Sequence, residues 1–449
     1  MKMYIERISQ MDLLLTNIGL LATPLGTTAQ KGSAQGEILL VPNATIDIKD
    51  GKIAFVESGI DTANRANYHP PSLRADCHAT LASGSAIQSS GSHITATQTI
   101  DCGGRLVTPG LVDAHTHLVF GGWRQNELAL KLAGASYLDI LKSGGGILNT
   151  VEYTRAASEN ELIEKGKAHL SEMLMLGVTT CEAKSGYGLL TEDELKQLRV
   201  IRALDKEQPI DIAPTFMGAH AIPKEFKDDR AGYIDLILNE MLPAVAKEQL
   251  AEFCDIFCET AVFTPEESHR ILTEAKKHGL TPKIHADEID PIGGAETAAE
   301  VNAISAEHLI QTSDEGMQKL AKENVIAVLL PATSFYLDKP YARARDMINS
   351  NVAVAIATDF NPGSSPSLNM QLTMNIACLK YKMTPAEVLT AVTLNGAAAI
   401  NRAKTHGSIE TGKKADIVIW DAPDLDYIFY RYGSNLTHTV IKNGAVFAK

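Results

Sequence analysis

The chain has 449 residues, of which 41 are basic and 54 acidic, so its formal net charge is −13. This acidic balance, without a block of Lys or Arg, argues against nucleic acid and anionic membrane surfaces as partners, because both are bound mainly through basic patches. The apolar runs, such as residues 325–331, fall far short of the roughly 18 residues that a membrane-spanning helix needs. The length allows two or three domains, or one α/β barrel of about 250 residues with a smaller appended domain.

Residues 1–105 are predicted to be β-rich and to supply the N-terminal part of a small β-sandwich. Two apolar segments flank Asp50-Gly51, a residue pair typical of a hairpin turn. Polar residues interrupt the leucine-rich N-terminus, which favours a first strand over a signal peptide. Residues 80–98 are rich in Ser, Gly, Thr and Ala without periodicity, and they predict a mobile loop inserted between sandwich strands.

Residues 106–405 are predicted to form a (β/α)8 TIM barrel, a fold of the α/β class. Short apolar runs alternate there with helical patterns, as expected for parallel strands joined by helices. Eight such runs are enough to close a barrel. The predicted strands span residues 111–115, 178–183, 210–217, 253–259, 282–285, 303–307, 325–330 and 352–358.

Two of the predicted helices have clear start signals. Thr264 is followed by Pro265 and Glu267, residue types typical of the N-cap, N1 and N3 positions. Thr191 and Glu194 repeat the Thr and Glu of that pattern. Both segments are therefore predicted to begin capped helices.

Residues 406–449 are again β-rich, with Asn443-Gly444 as a second hairpin turn. We expect the two ends of the chain to build one β-sandwich beside the barrel. Each end supplies strands that the other lacks.

The cysteines are scattered along the chain, which is typical of a reduced, cytoplasmic protein rather than a disulfide framework. Cys254 and Cys258 have the spacing of half a metal site. No second Cys/His pair of suitable spacing lies nearby, so they are interpreted as buried strand thiols. The six cysteines are Cys77, Cys102, Cys181, Cys254, Cys258 and Cys378.

Side chains that suit a metal collect at the ends of the predicted barrel strands, where enzymes of this fold place their chemistry. His115 and His117 close strand 1, and their spacing points both imidazoles to one face. Imidazole and carboxylate ligands suit zinc or iron, and no thiolate is placed to compete. Strand 5 ends in His285, and strands 3, 6 and 8 run into His220, His308 and Asp359.

Residues 109–117, PGLVDAHTH, resemble the strand-1 motif of the amidohydrolase superfamily. The resemblance covers nearly the whole chain, including the β-sandwich, and implies a metal-dependent hydrolase. Superfamily members with two metals bridge them with a carboxylated lysine at the end of strand 4, where this chain has FCDIFCE at residues 253–259. A single divalent or trivalent ion, zinc or iron, is therefore implied. The implied metal ligands are His115, His117, His285 and Asp359.

The resemblance also implies a group that moves protons. A metal ion lowers the pKa of water that it binds, but a neighbouring side chain must take and return the proton. Glu288 stands three residues after His285, as in superfamily members that hydrolyse cyclic amides or deaminate ring amidines. His308 is expected to orient the water or polarise the carbonyl, and Asp359 to share the proton.

Four further segments narrow the implied activity: FGGWR (120–124), KSGYGL (184–189), TFMGAH (215–220) and TDFNPGSS (358–365). They are similar to a branch of the superfamily that opens the ring of 4-imidazolone-5-propanoate to give N-formimino-L-glutamate. A propanoate tail suits the paired N–H donors of an arginine. The segment at 361–364 is expected to offer a side-chain amide and backbone N–H groups. The implied substrate contacts are Arg124, Tyr187, His220, Glu288, Asn361, Gly363 and Ser364.

Two alternatives stay open. A deaminase of the same superfamily, acting on a nucleobase-like ring, would share His285 and Glu288 but release ammonia. A non-catalytic scaffold should have lost ligands, whereas all four implied ligands are present. The resemblance further implies a homodimer, and the ligand set accepts either zinc or iron.

Overall fold

The computed structural model describes residues 12–58, 98–134 and 145–448. The predicted Ser/Gly-rich insertion at residues 80–98 lies outside these residues, apart from Gln98, and so does Cys77. Within the described ranges, no helix is both long and apolar enough to cross a membrane.

The strands fall into two separate sheets. They are β1 (Leu13–Thr23), β2 (Leu39–Lys49), β3 (Lys52–Ser58), β4 (Gln98–Asp101), β5 (Leu106–Pro109), β6 (Leu111–Asp113), β7 (Val178–Lys184), β8 (Asp211–Ala219), β9 (Phe253–Cys258), β10 (Thr281–Ala286), β11 (Ser305–His308), β12 (Ile326–Leu329), β13 (Val354–Ile356), β14 (Ile417–Trp420), β15 (Thr437–Lys442) and β16 (Ala445–Ala448).

The two ends of the chain form one mixed sheet, which confirms that they combine into a separate β-rich unit. The strand order is β16-β15-β14-β5-β1-β2-β3, and β4 also pairs with β1. Asp50 and Gly51 have φ values of 51° and 73° in the turn between β2 and β3. These positive values are those that a two-residue hairpin turn requires. This sheet has its own apolar core, centred on β1, β2, β14 and β15.

The eight predicted barrel strands are confirmed as β6 to β13, which pair in chain order and in parallel. The seam between the first and last strands is closed just beyond their ends, where Thr116 bridges to Phe360. The His117 N–H donates to the Phe360 carbonyl (2.8 Å), and the Asp359 N–H donates to the His115 carbonyl (3.1 Å). Closure therefore brings the strand-1 histidines beside the strand-8 aspartate.

Helices follow the strands and cover the barrel. They span Leu128–Leu132, Ile147–Ala156, Glu159–Met175, Thr191–Glu207, Arg230–Leu236, Leu242–Glu248, Pro265–Lys277, Gly294–Glu300, Asp314–Glu323, Pro331–Leu337, Ala344–Asn349, Met370–Tyr381, Pro385–Ala391, Leu394–Ala399 and Leu425–Tyr430. A π-helical turn, Ile237–Met241, joins two of them, and short 3-10 turns lie at Gly32–Gly36, Gln125–Glu127 and Lys224–Phe226.

One predicted helix cap is confirmed and the other is wrong. Thr264 and Glu267 exchange the two hydrogen bonds of a capping box. The helix Thr191–Glu207 has Leu190 at its N-cap and no side-chain cap. The predicted cap fails because Glu194, fully buried, accepts hydrogen bonds from backbone N–H groups of the preceding loop instead.

Apolar packing seals the N-terminal end of the barrel. The helix Leu394–Ala399 contacts β6, β12 and β13. Its alanines pack with Val112, Val328 and neighbouring small side chains. The polar side chains of the barrel therefore lie towards the opposite, C-terminal end, where this fold places its chemistry.

Candidate metal centre

The four predicted ligands converge at the C-terminal end of the barrel, and all are buried. The ring centroid of His115 lies 5.4 Å from that of His117 and 4.6 Å from that of His285. Asp359 Oδ1 lies 3.4 Å from His115 Nε2 and 3.7 Å from His117 Nε2. Side chains from strands 1, 5 and 8 thus meet around one point.

These side chains fit a bound metal ion. Ligand atoms of His115, His117 and Asp359 lie within 4.8 Å of one another, as do those of His115, His285 and His308. The Nε2 atom of His285 is buried and has no hydrogen-bond partner in the part of the chain that is described. A buried polar atom without a partner costs free energy unless something binds it. Zinc and iron are both bound by such nitrogen and carboxylate ligands.

A cluster of fully buried charged side chains lies beside the candidate ligands, and we call it the ionic core. Lys184 Nζ lies 2.8 Å from Glu182, 2.6 Å from Asp255 and 3.0 Å from Glu307. Lys283 Nζ lies 3.0 Å from Glu182 and 2.9 Å from Glu307. Burial alone would lower the pKa of Lys184, but the three carboxylates raise it above its ordinary value. Lys184 is therefore charged, and the ionic core contains three acidic side chains and two lysines.

The ionic core sets how two of the candidate ligands present their rings. Nδ1 of His115 contacts the carboxylate of Glu307, and Nδ1 of His285 lies 3.1 Å from Asp255 Oδ2. A carboxylate at Nδ1 favours the tautomer that carries its proton there and keeps a lone pair on Nε2. Both Nε2 atoms are then suited to a metal ion.

Asp359 is held in a conformation that few non-glycine residues adopt. Its φ is 53°, in the left-handed region, and that of His308 is 69°. Thr333 Oγ1 donates to Asp359 Oδ2 at 2.6 Å. The other carboxylate oxygen, Oδ1, is the one that faces His115 and His117. Backbone strain of this kind persists where the surroundings enforce it, and it concentrates at functional sites.

Glu288 and His308 face each other next to the ligand cluster, with Glu288 Oε2 3.7 Å from His308 Nε2. Burial, and then the charge of Asp359, raise the pKa of Glu288 to about 8. Burial lowers the pKa of His308 to about 3, so this imidazole is neutral near pH 7. A glutamate with a pKa near the working pH is suited to both taking and returning a proton.

Aromatic rings line one side of the cluster. His220 stacks on His117 with centroids 4.9 Å apart, and Tyr187 lies 5.7 Å from His117 and 5.4 Å from His220. His220 Nδ1 pairs with the Gly186 carbonyl at 3.0 Å. Burial raises the pKa of Tyr187 above its ordinary value, and the positive charge of Arg124 opposes that rise. The structure thus brings two predicted substrate contacts, Tyr187 and His220, to the metal site.

The loop after strand 8 differs from the expectation in one respect. The backbone N–H groups of Gly363 and Ser364 donate to Asn361 Oδ1, at 2.8 and 2.7 Å. The Asn361 amide nitrogen donates to the Asp359 carbonyl at 2.7 Å. Asn361 therefore uses its amide to shape the loop that follows Asp359.

The ionic core and Thr333 were not among the predicted residues. Only the last polar residues of each strand entered the prediction, although side chains two residues apart in a strand share a face. That rule puts Lys283 on the face of His285 and Glu182 on the face of Lys184. Thr333 comes from the helix after β12, and its position carried no such signal.

Comparison with known proteins agrees with this geometry. Residues 106–446 match the model of the amidohydrolase family. The chain is 51% identical to the imidazolonepropionase of Alkaliphilus metalliredigens, over 96% of this chain and 97% of that protein.

Two solved structures share the fold at low sequence identity. A triazine hydrolase variant has a TM-score of 0.70 at 16% identity, covering 98% of this chain and 95% of its own. An adenosine deaminase from Xanthomonas campestris with bound zinc has a TM-score of 0.64 at 18% identity, covering 97% and 92%. The chain belongs to the amidohydrolase family and, within it, to the imidazolonepropionases.

Proposed function

We propose that the chain hydrolyses the ring amide of 4-imidazolone-5-propanoate, giving N-formimino-L-glutamate in histidine degradation. The observation that carries this proposal is the convergence of three histidines and an aspartate beside Glu288 at the C-terminal end of the barrel. The identity of about one half to proteins named imidazolonepropionase supports the choice of substrate.

In this proposal, His115, His117, His285 and Asp359 hold one ion of zinc or iron. When bound there, the ion lowers the pKa of water and polarises the ring carbonyl. Strand β9 carries Asp255 paired with Lys184 and no lysine of its own, which supports one ion rather than two.

Glu288 is the proposed proton carrier. It takes a proton from the attacking water, whose oxygen bonds to the ring carbonyl carbon. It returns the proton to the ring nitrogen as the carbon–nitrogen bond breaks. The neutral His308 orients the water or the carbonyl oxygen, and Asp359 shares the proton.

The propanoate tail is assigned to Arg124, because a guanidinium can give a carboxylate two parallel hydrogen bonds. Tyr187 and His220 contact the ring and the carboxylate. The loop of Asn361, Gly363 and Ser364 forms the wall next to Asp359.

We also propose that the protein works in the cytoplasm as a homodimer. The free state of the described cysteines supports a reducing compartment. The family resemblance supports the dimer, and sedimentation analysis of the metal-loaded protein tests it.

The reaction is tested by following the absorbance of freshly prepared 4-imidazolone-5-propanoate, with and without a chelator. N-formimino-L-glutamate and ammonia are assayed in the same sample. We expect chelator-sensitive formation of formiminoglutamate without ammonia. Ammonia release from nucleobase-like rings, with no turnover of imidazolonepropanoate by metal-loaded protein, would instead identify a deaminase.

A further inference from the structure

Glu127 is a buried carboxylate that no step of the proposed reaction uses. It is the last residue of the 3-10 turn Gln125–Glu127, which begins directly after Arg124, and it is only 1% exposed. Its Oε1 accepts from Arg124 Nε and its Oε2 from Arg124 Nη2, both at 2.9 Å. The two side chains therefore form a bidentate ion pair at the edge of the candidate site.

This pair occupies one edge of the guanidinium. An arginine side chain has five N–H donors in a fixed plane, and Glu127 engages two of them. The remaining donors belong to Nη1 and to the outer side of Nη2. Those donors form the end of the guanidinium, which is the second edge that can bind a carboxylate through two parallel hydrogen bonds.

Two further contacts hold the pair in place. The Gly146 N–H donates to Glu127 Oε1 at 2.7 Å, which anchors the carboxylate to the start of the helix Ile147–Ala156. On the other side, a side chain at Gly363 would overlap Nη1 and the central carbon of the Arg124 guanidinium. Arg124 is thus confined between Glu127 and the loop that follows Asp359.

We infer that Glu127 is a positioning residue that turns Arg124 so that only the Nη1–Nη2 end of its guanidinium binds the substrate's carboxylate tail. This inference rests on the proposed function, because it assumes that Arg124 binds the tail. The negative charge of Glu127 repels an anion from the Nε edge. It also offsets part of the charge of Arg124, which by itself weakens the attraction for an anion, so the proposal is that the hydrogen-bond geometry fixed by Glu127 outweighs this loss.

The same arrangement makes the site selective. A tail that reaches the Nη1–Nη2 end as a carboxylate gains two charge-assisted hydrogen bonds. The corresponding primary amide offers one acceptor oxygen and an NH2 group that faces other donors. Glu127 therefore sharpens the preference for a carboxylate over an uncharged tail of equal length.

The test compares binding of two probes, 3-(imidazol-4-yl)propanoate and its primary amide, to metal-loaded protein by calorimetry. We expect E127Q to weaken binding of the acid about tenfold while leaving binding of the amide within about twofold. In an Arg124→Ala background, E127Q should change neither affinity, because Glu127 acts through Arg124. In turnover, E127Q should raise KM and leave kcat nearly unchanged, since the reacting groups are elsewhere.

The matched control is Glu387→Gln, which removes a bidentate pair with Arg345 that includes no candidate site residue. It should leave the affinities for both probes unchanged. Metal content and thermal midpoint of each variant separate a local effect from a folding defect. If E127Q does not fold, Glu127→Asp, which keeps the charge but shortens the reach, should give the same loss for the acid alone.

Equal weakening of acid and amide, or an undiminished effect in the Arg124→Ala background, would overturn the inference. Failure of the proposed function looks different: metal-loaded wild-type protein would neither open the ring of imidazolonepropanoate nor bind the acid more tightly than the amide.

Discussion

Two charge clusters in this molecule, one fully buried and one partly buried, have similar composition but different chemistry. The first is the ionic core together with the two candidate ligands that it contacts, His115 and His285. The second, which we call the sheet–barrel cluster, joins the start of β8 to the terminal sheet and consists of Asp211, His406, Lys414, Asp416 and Lys442. Both clusters bring imidazole and carboxylate atoms within 4.8 Å of one another, as a metal site requires.

They differ in what their histidines leave unpaired. His406 uses both ring nitrogens, Nε2 with Asp211 and Nδ1 with Thr405, each at 2.8 Å. Lys442 occupies the carboxylates of Asp211 and Asp416, at 2.6 and 2.7 Å. His285 instead pairs only its Nδ1 and has a buried Nε2 without a partner in the described chain. A cluster of ligand types thus indicates a metal site only where an imidazole nitrogen remains to bind it.

The largest expected effect separates the two clusters directly. His285→Ala should abolish stoichiometric metal binding and lower kcat/KM on the order of a thousandfold, because the ion supplies several kcal/mol of stabilisation in the reaction. His406→Ala should retain metal binding and kcat/KM, and only its free energy of unfolding should fall. Metal analysis with steady-state kinetics checks this, and an equal loss of metal from both variants would contradict the comparison.

Removing one charge from the ionic core should strongly destabilise the folded protein. Lys184→Met leaves three buried carboxylates with a single lysine, which should lower the free energy of unfolding by about 3–5 kcal/mol. Lys442→Met should cost less, because Lys414 still lies 2.6 Å from Asp211. Chemical denaturation of the metal-free variants measures both. Metal affinity should fall only for Lys184→Met, so a parallel fall in Lys442→Met would count against the distinction.

Thr333 is expected to raise the metal affinity of the site without binding the ion itself. Thr333→Val removes the 2.6 Å hydrogen bond to Asp359 Oδ2. Because such supporting contacts orient ligands, metal affinity should fall about tenfold, near the lower end of the usual range. Thr390→Val is the control, since the buried Thr390 hydroxyl has no partner among the residues described. Competition with a chelator gives the affinities, and equal values for both variants would refute the prediction.

The smallest effect concerns pH and the sheet–barrel cluster. Although burial opposes it, the hydrogen bond from His406 and the charges of Lys442 and Lys414 hold the pKa of Asp211 well below its ordinary value. A lowered pKa stabilises the folded state above the unfolded pKa, and this stabilisation is lost as pH falls through the folded pKa. Asp211→Asn should therefore cost about 1 kcal/mol at pH 7. Acid unfolding curves measure the difference in unfolding free energy between the variant and wild type. This difference should become smaller at pH values below the ordinary aspartate pKa, and a difference that does not change with pH would argue against the prediction.

The barrel and its candidate ligands were predictable because each depends on a local pattern. The apolar runs indicated all eight strands. The rule that chemistry lies at strand ends indicated five histidines and Asp359, and the family resemblance selected the four candidate ligands among them. The ionic core depends on which residues face inward on different strands, so Asp255 and Glu307 looked like ordinary strand residues.

The failed cap at Thr191 has a similar cause. Glu194 matches a capping pattern in the sequence, but the loop that carries Tyr187 offers it several N–H donors. The same holds for Glu127. A local turn is enough to pair it with Arg124, but its proposed positioning role also depends on Gly146 and Gly363, which are distant in sequence. Where the sequence offers a side chain several possible hydrogen-bond partners, tertiary contacts decide which one it uses.

The seam of the barrel has a consequence for folding. His115 and His117 come from the first strand and Asp359 from the last, and the backbone bonds that join these strands link residues more than 240 positions apart. We expect such long-range pairing to form late, because the cost of closing a long loop must be met before its ends can pair. The ligand set is complete only when the ring closes, so tight metal binding during refolding would report the last step of barrel assembly.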